Sequence, residues 1–300
     1  MSPRAVRAAA VTPALLRRLA LPKPDDDASK DERGRVLVVG GSAQVAGAVR
    51  LAGEAALRAG AGKLQLATVS SSATALGMAV PEALVVALPQ TRSGEIAGAR
   101  APRALAKHAS SVDAMLVGPG MSSARAAHAL LAPLVGRLRD DATLILDAAA
   151  ILALHSDASM LTPLEERAVL TPHAGEMASL LGVEKDAVEA APAELALGAA
   201  GRFKAVVVLK GATSWIATPD GTLYRYDGGN VGLATSGSGD TLAGIVAGLA
   251  ARGASPLSAV VWGVHLHGSA GRALARRVGE LGFLARELLA EIPPLLRRHR

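Results

Sequence analysis

The sequence contains no cysteine and few aromatic residues. Without cysteine among its 300 residues, the chain cannot form disulfides, bind a metal through thiolates or use a cysteine nucleophile. The absence fits a reducing compartment, so we expect a cytoplasmic protein. Because aromatic residues make up only 2% of the chain, the core must consist of Ala, Val, Leu and Gly, which suits helices packed closely over a sheet.

Long hydrophobic runs are missing as well. The apolar runs are interrupted by Gly, Pro81 or Glu82 well before the roughly 20 residues that a membrane helix needs. Near the N-terminus, Arg4, Arg7 and Pro13 interrupt the short apolar stretch, which is unlike the apolar core of a signal peptide. We therefore expect a soluble protein with no membrane partner.

The formal net charge of +6 raises the question of nucleic-acid binding. Aromatic residues that could stack on bases do not alternate with the basic ones, so we expect a solvated basic surface and no nucleic-acid partner. Such a surface also attracts an anionic ligand. Much of the excess charge lies in arginines near the two ends of the chain: Arg17, Arg18, Arg297, Arg298 and Arg300.

The chain divides into a short N-terminal segment and one large domain. Residues 1–34 predict an amphipathic helix around Thr12 to Leu21 and then a linker rich in proline and aspartate, an appendage too short to be a domain. No Pro/Gly-rich linker divides residues 35–290 and no internal repeat is visible. Residues 35–300 are therefore interpreted as a single domain.

Short β-type runs alternate with alanine-rich helical stretches from Arg35 onward. This alternation predicts an α/β fold in which a mainly parallel central sheet carries helices on both faces, in three layers. A helix is expected between Ala46 and Gly60, and an antiparallel hairpin between Ser214 and Tyr226 around Pro219-Asp220-Gly221. The predicted strands are Val36 to Val39, Leu64 to Thr68, Ala83 to Leu88, Met115 to Val117, Leu144 to Leu146, Val169 to Leu170 and Val206 to Leu209.

The segment from Ala234 to Thr241 carries the clearest chemical pattern. In it, Gly237-Ser238-Gly239-Asp240 leads into residues with helical apolar spacing, so backbone N–H groups, a helix N-terminus and one carboxylate meet at one point. Glycines let the backbone approach a migrating phosphoryl group, and Asp240 can accept a proton from an attacking hydroxyl. The alternative is a plain turn in which Asp240 only caps the helix.

Several motifs in one order make the sequence resemble the ribokinase-like family of ADP-dependent NAD(P)H-hydrate dehydratases. The resemblance extends from about Thr12 to the C-terminal helices and implies a ribokinase-like fold. The motifs are Val38-Val39-Gly40-Gly41-Ser42, Ala46-Gly47-Ala48, Gly118-Pro119-Gly120, Leu170-Thr171-Pro172-His173-Ala174-Gly175-Glu176, Lys210-Gly211-Ala212-Thr213 and Gly237-Ser238-Gly239-Asp240 followed by Leu242-Ala243-Gly244.

The resemblance implies two neighbouring binding sites. The hydrated nicotinamide nucleotide is expected beside Ala48, Gly120, His173 and Asp240. The adenine nucleotide is expected beside Lys210, Gly211, Ala212, Thr213, Ser214, Ser238 and Gly239, and the catalytic group comprises Asp240, Gly237 and Gly239.

Some of these residues also carry a signal of their own. Lys210 follows the Val206 to Leu209 strand, and open α/β sheets bind ligands at strand ends. His173 lies in a loop, where it either contacts a ligand or caps the next helix. Glu176 is interpreted as the first-turn acid of that helix. His265 and His267, two residues apart, do not share a helix face and are assigned to packing.

The sequence departs from the family pattern at three positions. Ala149 stands where the family usually carries a second acid, in Asp-Ala-Asp. Ser238 replaces the commoner threonine and keeps the hydroxyl, and Ala46 replaces an aromatic residue. Ala149 puts in doubt any role that requires an acid at that position. Since Ala46 is smaller than an aromatic residue, the substrate pocket is expected to be looser.

The implied reaction is the ADP-dependent dehydration of the S-epimer of hydrated NADH or NADPH, with Mg²⁺ as cofactor and AMP and phosphate as products. The resemblance also implies a homo-oligomer, such as a tetramer, and a separate epimerase for the other hydrate epimer. Two alternatives stay open: a small-molecule kinase acting on a thiazole or pyrimidine alcohol, and a nucleotide-binding regulator without catalysis, which the alanine at position 149 favours.

Overall fold

A computed structural model describes residues 8–25 and 27–298 of the chain. Within these ranges one sheet of ten strands runs through the molecule. Arg4, Arg7 and Arg300, which entered the sequence-based predictions, lie outside the described residues. The strands are β1 (Ala9–Ala10), β2 (Arg35–Val39), β3 (Lys63–Val69), β4 (Ala83–Leu88), β5 (Ala114–Val117), β6 (Thr143–Leu146), β7 (Ala168–Leu170), β8 (Val206–Leu209), β9 (Ser214–Ala217) and β10 (Leu223–Tyr226).

The sheet is mostly parallel, in the order β1-β10-β9-β8-β7-β6-β5-β2-β3-β4. The strands from β4 to β8 pair in parallel, with Val36 opposite both Leu64 and Ala114. Strands β8, β9 and β10 pair antiparallel, which confirms the predicted hairpin, and β1 pairs in parallel with β10. The seven predicted runs all form strands of this sheet.

Twelve α-helices connect and cover the strands of the described chain. They are α1 (Pro13–Arg18), α2 (Gly47–Arg58), α3 (Ser70–Ala79), α4 (Pro102–Ala109), α5 (Ala124–Val135), α6 (Ala149–Leu152), α7 (Ala174–Leu181), α8 (Lys185–Ala190), α9 (Pro192–Phe203), α10 (Ser238–Ala251), α11 (Pro256–Arg277) and α12 (Ala285–Arg297), with 3₁₀ turns at Ala153–His155, Ala158–Leu164 and Val231–Leu233.

Two hydrophobic cores lie on opposite faces of the sheet. Successive side chains of a strand point to opposite faces, and in β2 Val36 and Val38 enter one core while Leu37 and Val39 enter the other. Helices α2, α10, α11 and α12 cover the first face, and α4, α5, α7 and α9 cover the second. The predicted three-layer α/β architecture is confirmed.

Helices α2 and α10 pack in unusually close contact. A Cβ atom added to Gly244 would lie 2.1 Å from the Ala52 carbonyl oxygen, and one added to Gly248 would lie 2.3 Å from that of Ala56. Only glycine allows two helix backbones to approach this closely. The contact places the start of α10 firmly beside α2, and the start of α10 is the predicted phosphoryl-binding turn.

The N-terminal segment packs on the first core. The helix predicted from Thr12 to Leu21 is shorter in the structure, where Thr12 caps α1 and the helix ends at Arg18. Proline at position 22 disfavours a helical residue before it, which explains the early end. Leu15 and Leu16 are buried, and the indole N–H of Trp262 donates to the Leu19 carbonyl at 2.7 Å. The boundary between residues 34 and 35 stays a prediction.

None of the helices in the described ranges combines the length and apolar character required to cross a membrane.

Candidate active site

The polar motifs meet at the carboxyl edge of the parallel strands. Backbone hydrogen bonds continue the pairing past the strand ends, from the Gly118 N–H to Val39, from the Asp147 N–H to Val117 and from the Lys210 N–H to Pro172, at 3.0, 3.0 and 2.7 Å. Residues far apart in sequence therefore stand side by side. This edge is where open α/β sheets bind their ligands.

The glycine turn before α10 provides a helix N-terminus at this edge. Gly237 is the N-cap residue and has φ of +86°, a conformation that favours glycine. The first backbone bond of the helix runs from the Thr241 N–H to the Gly237 carbonyl at 3.0 Å. Ahead of it, the Ser238 N–H donates to the Thr235 carbonyl at 3.2 Å, which leaves the N–H groups of Gly239 and Asp240 to bind an anion at the helix entrance.

Lys210 and Asp147 form a buried ion pair at the centre of the site. The Lys210 Nζ lies 2.9 Å from Asp147 Oδ1, which also accepts a hydrogen bond from the Thr171 hydroxyl at 2.6 Å. Burial acts to lower the pKa of Lys210, but the charges of Asp147 and Glu176 outweigh it and raise that pKa above its ordinary value. The ammonium group thus keeps its charge.

Burial and nearby charges strongly change the ionisation of Asp240. Burial first, and then the charge of Asp147, raises the pKa of Asp240 to about 7, with a smaller contribution from Glu176, while Lys210 opposes the shift. A carboxyl group with a pKa near the working pH is suited to accept a proton and then release it. The helix-cap alternative does not explain this environment, because Asp240 lies inside the first turn of α10 and Gly237 occupies the cap.

His173 and Glu176 fix the start of α7 beside the lysine. His173 Nδ1 accepts the N–H groups of Gly175 and Glu176 at 3.0 and 3.2 Å, and a Glu176 oxygen accepts the N–H of His173 at 2.8 Å. Glu176 also approaches the lysine, since its carboxylate lies 3.7 Å from the Lys210 Nζ. His173 therefore caps a helix and also lines the site.

A cavity of about 690 Å³ opens at this point. All the predicted nucleotide-binding residues line this cavity except Thr213. The Thr213 hydroxyl donates to Asp227 Oδ1 at 3.0 Å. The apolar wall of the cavity suits a nucleobase and its basic end suits phosphates. The lining residues are His173, Lys210, Gly211, Ala212, Ser214, Tyr226, Gly229, Asn230, Val231, Leu233, Ala234, Thr235, Ser238, Gly239, Leu242, Val264, His267 and Gly268.

Of the residues predicted for the second substrate, His173 lines the cavity, Asp240 belongs to the α10 turn, and Ala48 and Gly120 lie outside the cavity lining. Gly120 has φ of +70°, and a Cβ atom there would lie 3.0 Å from the Ala48 Cβ, so these two residues are neighbours. A Cβ on Gly237 would lie 2.5 Å from a methyl group of Leu51, one helical turn after Ala48. The turn that carries Asp240 therefore borders the cavity through Ser238 and Gly239 and contacts α2, the helix of Ala48, through Gly237.

Sequence reasoning missed two side chains of this site. Asp147 comes directly after the buried strand β6, and the rule that drew attention to Lys210 applies to it equally. His267, which was assigned to packing, lines the cavity and bonds to Ser238. No sequence pattern marks that histidine, because it reaches the site from α11 across the tertiary fold.

The turn after Asp147 is strained. Ala148 has φ of +48°, which is unfavourable for a residue with a side chain. Ala149, at the position of the family's usual second acid, is buried at the start of α6. The charged groups of the site in this chain are therefore the carboxyl groups of Asp147, Glu176 and Asp240 and the ammonium group of Lys210.

The fold is that of a ribokinase-like enzyme, and the cavity at the carboxyl edge of its sheet has the lining expected of a nucleotide site. The family model described as NAD(P)H-hydrate dehydratase matches residues 36–294. The chain belongs to this family.

Relatives of known name agree with this assignment. The chain is 53% identical over 294 residues to the ADP-dependent (S)-NAD(P)H-hydrate dehydratase of Xanthomonas campestris, covering 97% of both chains. It is 40% identical to a bifunctional NAD(P)H-hydrate repair enzyme of Moorella thermoacetica, covering 93% of this chain but only 52% of that protein. The chain thus spans about half the length of the bifunctional relative.

Solved structures have the same fold. An ADP/ATP-dependent NAD(P)H-hydrate dehydratase from Bacillus subtilis, co-crystallised with ATP and Mg²⁺, superposes with a TM-score of 0.80 at 28% identity, over 99% of this chain and 100% of that one. A ribokinase-like protein from Enterococcus faecalis gives 0.83 at 26% identity, over 97% and 96%. A hydroxyethylthiazole kinase from Pyrococcus horikoshii, at 15% identity and 0.61, shares the fold alone.

Proposed function

We propose that this chain catalyses the ADP-dependent dehydration of the S-epimer of hydrated NADH and NADPH, which restores NAD(P)H and releases AMP and phosphate. The observation that carries the proposal is the position of Asp240. It stands in the first turn of α10, next to Ser238 and Gly239 of the lysine-bearing cavity, and the same turn contacts α2, the helix that carries Ala48. A proton acceptor between a nucleotide site and a second site is what transfer to a substrate hydroxyl requires.

The reaction begins at the hydroxyl that water has added to the nicotinamide ring. Asp240 accepts its proton as the oxygen attacks the β-phosphorus of ADP, the bond to the bridging oxygen breaks, and AMP departs. The N–H groups of the Gly237 to Gly239 turn and the Lys210 ammonium stabilise charge on the transferred phosphoryl group. The ring nitrogen lone pair then helps to expel phosphate, a far better leaving group than hydroxide, and loss of a proton from the neighbouring ring carbon re-forms the ring double bond and restores NAD(P)H.

Mg²⁺ fits the charges of this site. Three carboxyl groups, those of Asp147, Glu176 and Asp240, lie around one ammonium group, that of Lys210, so acidic groups outnumber cations, and the charges of Asp147 and Glu176 contribute to the raised pKa of Asp240. No cluster of three metal-binding side chains exists in the described part of the chain, but Mg²⁺ in nucleotide enzymes is held by one or two carboxylates and substrate phosphates. Glu176 and Asp240 would hold it there. Bound Mg²⁺ neutralises phosphate charge.

Assembly, partners and location extend the proposal. We expect a cytoplasmic homo-oligomer, such as a tetramer, with no nucleic-acid or membrane partner. A separate epimerase would convert the other hydrate epimer into the substrate, an expectation supported by relatives that are named as bifunctional repair enzymes. Light scattering of the purified chain, together with a mixing assay that adds an epimerase to racemic hydrate, tests both points.

One assay tests the reaction itself. The protein is incubated with ADP and hydrated NADH, and the absorbance of reduced nicotinamide is followed together with AMP and phosphate. We expect NADH, AMP and phosphate to appear in equal amounts, and Asp240→Asn to lose activity by about 10²- to 10⁴-fold, the usual contribution of a general base. Near-normal turnover by that variant would exclude Asp240 as the base.

The same assay separates the two alternatives. A small-molecule kinase would leave a stable phosphorylated alcohol and regenerate no NADH. A regulator would bind ADP without turnover.

A further inference from the structure

Ser238 and His267 form a hydrogen-bonded pair in the wall of the nucleotide cavity. The Ser238 Oγ lies 3.0 Å from His267 Nε2, and both residues line the cavity that Lys210 and Gly239 also line. Ser238 is the first residue of α10 and is buried. Ser238 thus lies between Gly237 and Gly239 in the turn that is proposed to bind the phosphoryl group.

The tertiary structure brings the two residues of this pair together. Ser238 and His267 are 29 residues apart and belong to different helices, α10 and α11. Next to His267 in the chain, Gly268 lets α11 approach the loop after β10, since a Cβ there would lie 2.5 Å from the Tyr226 hydroxyl. This close approach brings the imidazole to the cavity wall.

The histidine is neutral at physiological pH. Burial first, and then the positive charge of Lys210, lowers the pKa of His267 to about 4, against the opposing effect of the Ser238 backbone. A neutral imidazole carries one proton, and the bond made at one nitrogen decides which nitrogen carries it. If Nε2 carries it, the ring donates to the Ser238 oxygen and the hydroxyl proton is free to donate elsewhere.

We propose that His267 is a positioning residue, which holds the Ser238 hydroxyl so that its proton points at the terminal phosphate of bound ADP. The hydroxyl then adds a donor to the backbone N–H groups and the ammonium group of Lys210. A phosphate oxygen is the strongest acceptor that such a donor can meet in this cavity. The proposal rests on the proposed ADP site and assigns Ser238 and His267 a part in distinguishing ADP from AMP, which lacks that phosphate.

Two amide variants of His267 differ only in reach. His267→Gln places an N–H group close to the position of Nε2 and keeps the bond to Ser238, whereas His267→Asn is one methylene shorter and cannot reach it. Ser238→Ala removes the hydroxyl, and Ser238→Thr keeps it. Dissociation constants for ADP and for AMP are measured by calorimetry for each variant, for Ser238→Ala combined with His267→Asn, and for the unchanged protein.

We expect Ser238→Ala and His267→Asn each to weaken ADP binding by roughly tenfold, as the loss of one hydrogen bond to a charged group predicts. AMP binding should stay within about twofold, since the phosphate concerned is absent. The double variant should bind ADP no more weakly than Ser238→Ala alone, because the histidine acts through the serine. His267→Gln and Ser238→Thr should bind ADP within about threefold of the unchanged protein.

Three results would overturn the proposal. Parallel losses of ADP and AMP affinity would show that His267 only shapes the cavity. A double variant about a hundredfold weaker would show that the two residues act independently, and equal losses for His267→Gln and His267→Asn would show that reach is irrelevant. Turnover of hydrated NADH, measured on the unchanged protein beside these titrations, separates failure of this proposal from failure of the proposed reaction.

Discussion

Asp240, the proposed base, lies in an environment that disfavours its ionised form. Its pKa of about 7 lies above the ordinary value of 3.8, so the folded protein favours the protonated form. For a group of this kind, the stabilising contribution is complete at low pH and is lost as the pH rises through the folded-state pKa. Ionisation of Asp240, which a base requires, therefore lowers the free energy of unfolding.

Replacing Asp240 with asparagine should stabilise the protein while it removes activity. At pH 8 we expect the free energy of unfolding of Asp240→Asn to exceed that of the unchanged protein by roughly 2–4 kcal/mol. The difference should shrink as the pH falls toward 4, where the unfolded chain also binds the proton. Urea unfolding at several pH values measures it. The exposed Asp140→Asn is the control and should change stability by less than about 0.5 kcal/mol; a pH-independent difference would contradict the assigned cause.

Lys210 should set the pH at which Asp240 becomes active. We expect kcat/KM to rise with pH through the pKa of Asp240, near 7. The positive charge of Lys210 lowers that pKa, so Lys210→Met should move the rise to higher pH, and should also reduce kcat/KM at pH 7 by more than about tenfold through the lost phosphate contact.

The matched control for this prediction is Lys210→Arg, which keeps the charge. Its pH profile should rise at the same pH as that of the unchanged protein, even if its rate is lower because the guanidinium group has a different shape. If Lys210→Met and Lys210→Arg gave the same profile, the charge of the lysine would not act on Asp240.

At the scale of elements, the contact between α2 and α10 holds the phosphoryl-binding turn in place. The apolar spacing after Asp240 was enough to predict α10. Which helix lies against it is decided only by the fold. The observed neighbour is α2, which carries Ala48 at its start, so the packing of this pair also spaces the two binding regions.

Gly248→Ala should therefore be destabilising. Its Cβ would lie 2.3 Å from the Ala56 carbonyl oxygen, so the helices must separate, at a cost of roughly 1–3 kcal/mol in the free energy of unfolding. Gly198→Ala in α9 is the matched control, since no atom lies within 4 Å of its added Cβ. That change should stabilise by about 0.5–1 kcal/mol. Thermal and urea unfolding of both variants measure the contrast, and equal effects would refute the packing interpretation.

At the scale of the whole molecule, the N-terminal segment is part of the packed structure. Strand β1 extends the sheet beside β10, and α1 adds Leu15 and Leu16 to the first core. The sequence predicted the helix but gave no reason to expect its burial, because a six-residue amphipathic helix has no partner until the sheet and α11 form.

Truncation of Leu16 should destabilise the protein, as truncation of a core residue does. Its side chain is 1% exposed, so Leu16→Ala should lower the free energy of unfolding by roughly 2–5 kcal/mol. Arg18→Ala in the same helix, at an exposed position, should change it by less than about 0.5 kcal/mol. Equal, small effects of both substitutions in urea unfolding would mean that α1 is dispensable to the fold.

Local patterns in the sequence determined much of this protein. Runs of Val, Leu and Ile between alanine-rich helices fix a parallel α/β sheet, because strand and helix periodicities are local properties of the chain. Gly237, Gly239, Asp240 and Lys210 were also visible in sequence, since a glycine turn before a helix and a polar residue after a strand mark ligand-binding positions by themselves.

Only the tertiary structure decided how these parts act together. The raised pKa of Asp240 depends on the burial and the charges that Asp147, Glu176 and Lys210 impose from three other elements. The bond between Ser238 and His267 depends on the close approach of α11 to the cavity. Electrostatic and hydrogen-bond interactions depend on distances in space, and no pattern of spacing along the chain contains those distances.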